Sequence, residues 1–142
     1  MSQLGIYLIS LFLSLFSSVP KNIEKAFLQN NAALLHSLLP VKSAIHISLP
    51  EPISFSDQVS DEQAYFLFRR IFRTYTTFEF YPENQKTASL EKSHYIFKAR
   101  WSFLTKNRNQ HVFKLFFYVR FEPGLSENGD PWKIAEIKAE KI

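Results

Sequence analysis

The chain has 142 residues, room for one domain, and at 46% hydrophobic with 15 phenylalanines it can bury a substantial core, which excludes a disordered chain. The formal net charge of +4 is mild and no run of bases exceeds two, so a polyanion partner has little support. Cysteine is absent, which removes disulfides, Cys-based zinc sites, thiol nucleophiles and a lipid-modified N-terminal cysteine together.

Met1 to Val19 carries no charged residue, and Leu4 to Phe16 is nearly all apolar. This stretch reads as the hydrophobic region of a signal peptide, too short for a comfortable membrane span, with Ser17 and Ser18 as small residues for cleavage. The expected outcome is export to the periplasm or medium. An uncleaved N-terminal anchor and an interfacial or buried helix are the alternatives, because no basic residue precedes the apolar run.

Pro20 to Gln29 sets Ile23, Ala26 and Phe27 on one helical face, with proline tolerated in the first turn. Asn30 and Asn31 end that helix and cap a second, whose stripe is Leu34, Leu35, Leu38 and Leu39 and which Pro40 stops. Ala44 to Leu49 alternates as a first strand, and Ile53 and Phe55 add a short edge segment beside Pro50 and Pro52. Ser56, Asp57 and Ser60 to Glu62 read as turn and capping chemistry. Ser60 with Gln63 is a capping-box signature for a helix from Asp61 to about Thr74, whose buried face is Ala64, Leu67, Phe68, Ile71, Phe72 and Tyr75.

Thr76 to Tyr81 alternates with Phe78 and Phe80 inward, and Pro82 to Ser89 is a polar loop. Three long strands follow, at about Lys92 to Leu104, His111 to Phe121 and Trp132 to Ile142. In the last, inward parity slips between Ile134 and Ile137, which predicts a β-bulge near Ala135. With Arg108 at the turn centre, Phe103 faces Phe113, Trp101 faces Leu115, Ala99 faces Phe117 and Phe97 faces Val119. That register also sets Arg100 opposite Phe116 and Lys98 opposite Tyr118 on the outer face. The expected core is Phe27, Leu35, Phe68, Ile71, Phe72, Phe97, Trp101, Phe113, Leu115, Phe117 and Ile137.

No residue set specifies a reaction. The four histidines, His36, His46, His94 and His111, show neither an i, i+4 pair nor a His-x-His, and His94 and His111 fall at opposite ends of their hairpin. Gly5, Gly124 and Gly129 are isolated, which leaves no phosphate loop, and no Gly-x-Ser-x-Gly elbow occurs. No catalytic, metal or cofactor residue is therefore assigned. The outer sheet face interleaves aromatics and bases, but Glu136 and Glu140 break the field, which argues against nucleic acid. Phe116 and Tyr118 make a candidate homodimer face.

The hairpin Ile23 to Leu35, the long helix ending Phe68-Arg69-Arg70-Ile71-Phe72 and the final Trp132 to Ile137 give the order helix, helix, strand, long helix, four strands. In that order, over about Pro20 to Ile142, the chain resembles the nuclear transport factor 2-like (cystatin-like) superfamily. Within it, the chain looks most like small exported bacterial proteins of unknown function. The resemblance implies an α+β cone, three helices packed on a strongly curved, mostly antiparallel sheet, with a pocket inside. Residues 1–19 are then the apolar leader and 20–142 the domain. Its isomerases and cyclases use a first-helix tyrosine as oxyanion donor and an aspartate base near the mouth. Here Pro20 to Gln29 has no tyrosine, and Asp57 and Glu79 match no motif of the group.

The expectation is an exported accessory or binding domain that holds a small apolar ligand or a protein partner in or on its cone, without cofactor and touching a membrane only through its N-terminal segment. An isomerase- or cyclase-type enzyme using the cavity is the rival. The candidate pocket lining is Tyr65, Tyr75, Phe78, Phe80, Tyr95 and Trp101, because the third helix and inward strand positions are where a cone opens.

Overall fold

The computed structural model describes residues 18–83, 93–122 and 130–142. Residues 1–17 of the expected 1–19 leader and most of the expected Pro82 to Ser89 loop lie outside the described residues.

Helix α1 (Val19–Leu28) carries proline in its first turn and buries Val19, Ile23, Ala26 and Phe27. Asp130 ties its start to the sheet, since its Oδ2 accepts from Ser18 Oγ at 2.6 Å while its Oδ1 accepts from the Trp132 amide at 2.9 Å. Asn30 then takes a left-handed φ of 49°, tolerable for asparagine, and the Asn31 side chain accepts from the Leu34 amide to cap α2 (Ala32–His36). Helix α3 (Asp61–Thr74) opens on the full capping box, Ser60 and Gln63 each bonding the other's backbone, with Asp61 and Glu62 in its positive first turn.

Among the described residues six strands form one open sheet: β1 (Ile45–Leu49), β2 (Phe55–Val59), β3 (Thr76–Pro82), β4 (His94–Leu104), β5 (Gln110–Phe121) and β6 (Trp132–Lys141). Their order is β2-β1-β6-β5-β4-β3, antiparallel throughout except where β6 returns beside β1 in parallel. The expected α+β architecture holds, with the helices on one face. Ile134 N–H donates to Leu38 O at 2.9 Å, and Lys133 Nζ donates to Ser37 O at 3.1 Å, so β6 is fastened to the end of the helical hairpin.

Every residue of the expected core is buried. The bulge lies where parity demanded it. Tyr118 pairs with Glu136 and Val119 with Ile134, leaving Ala135 as the extra residue. Three expectations are corrected. The hairpin register is two residues off: Trp101 faces Phe113, Phe97 faces Phe117, Lys98 faces Phe116 and Arg100 faces Lys114. The cause is the turn, because Arg108 N–H closes onto Thr105 O and Arg108 itself, not an asparagine, takes the left-handed position at φ 62°. Phe78 is the extra residue of a second irregularity, between Thr77 paired with Phe103 and Glu79 paired with Ser102, so it points to solvent at 57% exposure and only Phe80 turns inward. Ser56 and Asp57 belong to β2, a strand held by pairing with β1 and not a turn.

Candidate functional site

The space between helices and sheet is occupied by rings. Phe27 is fully buried at its centre, with ring centroids at 5.0 Å from Phe80, 5.1 Å from Trp101, 5.2 Å from Phe72 and 5.9 Å from Phe117. Trp101 completes its own polar requirement inside this cluster, donating from Nε1 to Thr77 Oγ1 at 2.9 Å. At these residues the interior is a packed aromatic core.

The six expected lining residues do not converge. Phe80 and Trp101 are core, and Phe78 is exposed. Tyr75 rests on Phe103 and donates its hydroxyl to Pro52 O at 3.3 Å. Tyr65 lines a cleft of about 340 Å³ between the α1–α2 turn and α3, with Arg69 and Arg73. Tyr95 lines a different and larger groove.

That groove, of about 700 Å³, opens on the face of the sheet turned away from the helices. One transverse row builds its floor. Gln58 pairs with His46, His46 with Glu136, Glu136 with Tyr118 and Tyr118 with Ile96, so five strands each contribute one outward residue. All five line the groove. The Ala135 bulge sits at the middle of this floor and bends the sheet there, which is how a nearly flat lattice of side chains acquires a concave surface. Beyond the bulge, the paired His94 and Arg120 form one end, with Arg120 Nη2 donating to Glu122 Oε1 at 3.0 Å.

The chemistry is mixed. Ile96 and Tyr118 offer apolar surface, while His46 Nδ1 lies 3.4 Å from Glu136 Oε1, short enough for the carboxylate to orient the imidazole although the two do not form an aligned hydrogen bond. Nδ1 is itself buried, while the His46 side chain is 42% exposed, so the rest of the ring faces the groove. Neither His46 nor Glu136 stands out in the sequence. The only available signal was that both are polar residues at outward positions of strands, and it becomes a site only once the parallel β1–β6 pairing puts them side by side.

The candidate dimer residues Phe116 and Tyr118 are consecutive outward positions of β5, both half-buried. The Phe116 ring carries Lys114 at 5.6 Å and Lys98 at 5.9 Å from its centroid, cation–aromatic contacts of ~0.5 to 1 kcal/mol each at an exposed site. His94 and His111 lie at opposite ends of the β4–β5 hairpin, opposite Arg120 and Phe103. Among the described residues no group of three or more His, Asp or Glu could hold a metal ion, and no helix is long and apolar enough to cross a membrane.

No protein-family profile and no curated protein sequence matches the chain. Solved structures do. A DUF4783 family protein from Bacteroides uniformis is similar at TM-score 0.60 and 18% identity, over 88% of this chain and 98% of that one. A candidate isomerase from Bacillus subtilis is similar at TM-score 0.59 and 9% identity, over 84% and 80%. A candidate dehydratase of the NTF2-like family from Streptomyces avermitilis is similar at TM-score 0.54 and 11% identity, over 86% and 89%. Likeness at these identities establishes the fold alone, and the fold it establishes is the nuclear transport factor 2-like α+β cone.

Proposed function

We propose that the protein is an exported accessory or binding domain that holds its ligand on the outer face of the sheet, in the groove floored by His46, Glu136 and Tyr118. The observation that carries this reading is the packed interior. With Phe27 in ring contact with both helix α3 and the sheet, a ligand inside the cone would have to displace core aromatics. The outer groove has the volume of a small-molecule site, and its polar groups, His46, Glu136 and Arg120 among them, stand beside apolar ones. Export is supported by the uncharged Met1 to Val19 segment. Val19 is fully buried and Ser18 bonds Asp130, so a cleavage that leaves the domain intact falls before Ser18.

The enzymatic alternative has one observation of its own. The His46–Glu136 pair, with Tyr118 across the strand, is a set of groups able to accept and donate protons, and two structural neighbours are named as a candidate isomerase and a candidate dehydratase. That chemistry would then sit on the outer face and not in the cone. Native mass spectrometry of the protein purified from its own host tests the reading, because it reports the mature N-terminus, the oligomeric state and any retained small molecule in one spectrum. The expected result is a chain starting at or before Ser18 with a bound mass that Tyr118→Ala removes. A ligand-free protein, or a bound mass indifferent to Tyr118→Ala, overturns the small-molecule version.

A further inference from the structure

We infer that the groove between β2 and α3 receives an extended peptide segment of a partner protein, which adds to β2 as a seventh strand and places an acidic side chain on Arg70. This site is separate from the outer-face groove and does not depend on what that groove holds.

Strand β2 terminates the sheet order, so one of its edges meets no strand among the described residues. Its residues Phe55, Asp57 and Val59, at i, i+2 and i+4, form one wall of a groove of about 390 Å³. Gln63, Phe66, Leu67 and Arg70, at i, i+3, i+4 and i+7 of α3, form the other. A single face of an edge strand therefore opposes a single face of a helix. An extended peptide fits that arrangement, because its backbone can pair with the edge while its alternate side chains enter the space beneath the helix.

Phe66 meets the ring of its neighbour Tyr65 at 5.3 Å but is not drawn into the core by it. Helix α3 already buries Ala64, Leu67, Phe68, Ile71 and Phe72, yet Phe66 stays 60% exposed on the wall of this groove. Arg70 is exposed there too, and no ion pair or hydrogen bond satisfies its guanidinium among the described residues. The groove sets Phe55, Val59, Phe66 and Leu67 beside an unpaired cation, while the Asp57 carboxylate accepts from its own strand, so it selects a segment of alternating apolar residues that also carries a carboxylate.

The edge is guarded. Gln58 N–H donates to Asp57 Oδ1 at 2.7 Å, a side chain of its own strand, which puts the outward-facing peptide groups at Ser56 and Gln58. A charge on an edge strand suppresses indiscriminate pairing. Here it also holds the donor that an incoming strand would use, so binding displaces the Asp57 carboxylate.

The test is selection of an eight-residue peptide display library on the full chain, followed by affinity measurements on the enriched peptides as synthetic probes. The expected probes alternate apolar and polar residues and contain an acid. Arg70→Glu should weaken them at least tenfold and Phe66→Ser similarly, while Asp57→Ala, which frees the Gln58 N–H, should strengthen them and Tyr118→Ala leave them unchanged. Both Phe66 and Arg70 are exposed, so these variants keep the fold, and a thermal melt verifies that. Hydrogen exchange of the Ser56 and Gln58 amides should slow on binding, which side-chain docking alone would not cause. A selection that yields no binder, binders indifferent to Arg70→Glu, or binders that leave the Ser56 and Gln58 amides exchanging as before would each overturn the inference.

Discussion

Truncating Phe27 to alanine tests the packed interior at its centre. The side chain has no exposed surface and meets five rings, four of them edge to face at interplanar angles of 73° to 80°. A residual cavity on the order of 100 Å³ at ~24 cal/mol per Å³ accounts for ~2.4 kcal/mol, and lost transfer of the ring brings a core Phe→Ala change to about 3 to 5 kcal/mol. The edge-to-face contacts, worth ~0.5 to 1.5 kcal/mol each and not additive, place this site at the upper end. In urea, with a slope of about 2 kcal/mol/M, the unfolding midpoint should fall by roughly 2 M. A second readout separates packing from general damage. Benzene should raise the melting temperature of the Phe27→Ala variant by filling the new cavity and leave the parent unchanged. A loss below ~1.5 kcal/mol, well short of the core range, or stabilisation of the parent by benzene, would show that the interior already had room.

Two local predictions accompany it. Ser60→Ala removes the hydroxyl that accepts from the Gln63 amide at 3.2 Å and should cost about 1 kcal/mol by chemical denaturation, with α3 fraying first at its N-terminus in hydrogen exchange. Arg108→Gly relieves a side chain held at φ 62° and should raise stability by up to about 1 kcal/mol in the same assay, whereas a loss would mean that the arginine makes a contact the turn geometry does not reveal.

Alternation along β4, β5 and β6 made the sheet and its core legible, because a one-residue slip would have exposed Phe97, Phe113 and Phe117. A two-residue slip preserves every inward residue, so parity could not fix the register. That choice fell to the turn, where Asn107 and Asn109 are the obvious left-handed residues and Arg108 is the one that adopts the conformation. Phe78 was misread for a related reason. A bulge opposite Phe103 and Ser102 changes parity without any glycine or proline to announce it. Strand β2 was hidden because Ser56 and Asp57 have poor strand preference and are held extended by β1. The groove was less legible than the fold, since its floor draws one residue from each of five strands and is completed only by the non-local β1–β6 pairing. His46 and Glu136 become neighbours only when β6 returns beside β1.

A filled cone would leave only the outer surfaces for the proposed ligand. Crystallography under xenon pressure tests this most directly, because xenon enters apolar voids that water leaves empty. No xenon atom is expected among Phe27, Phe80, Trp101 and Phe117, with any ordered xenon confined to the surface grooves. A xenon site bounded by those four rings would contradict it and return the ligand to the interior.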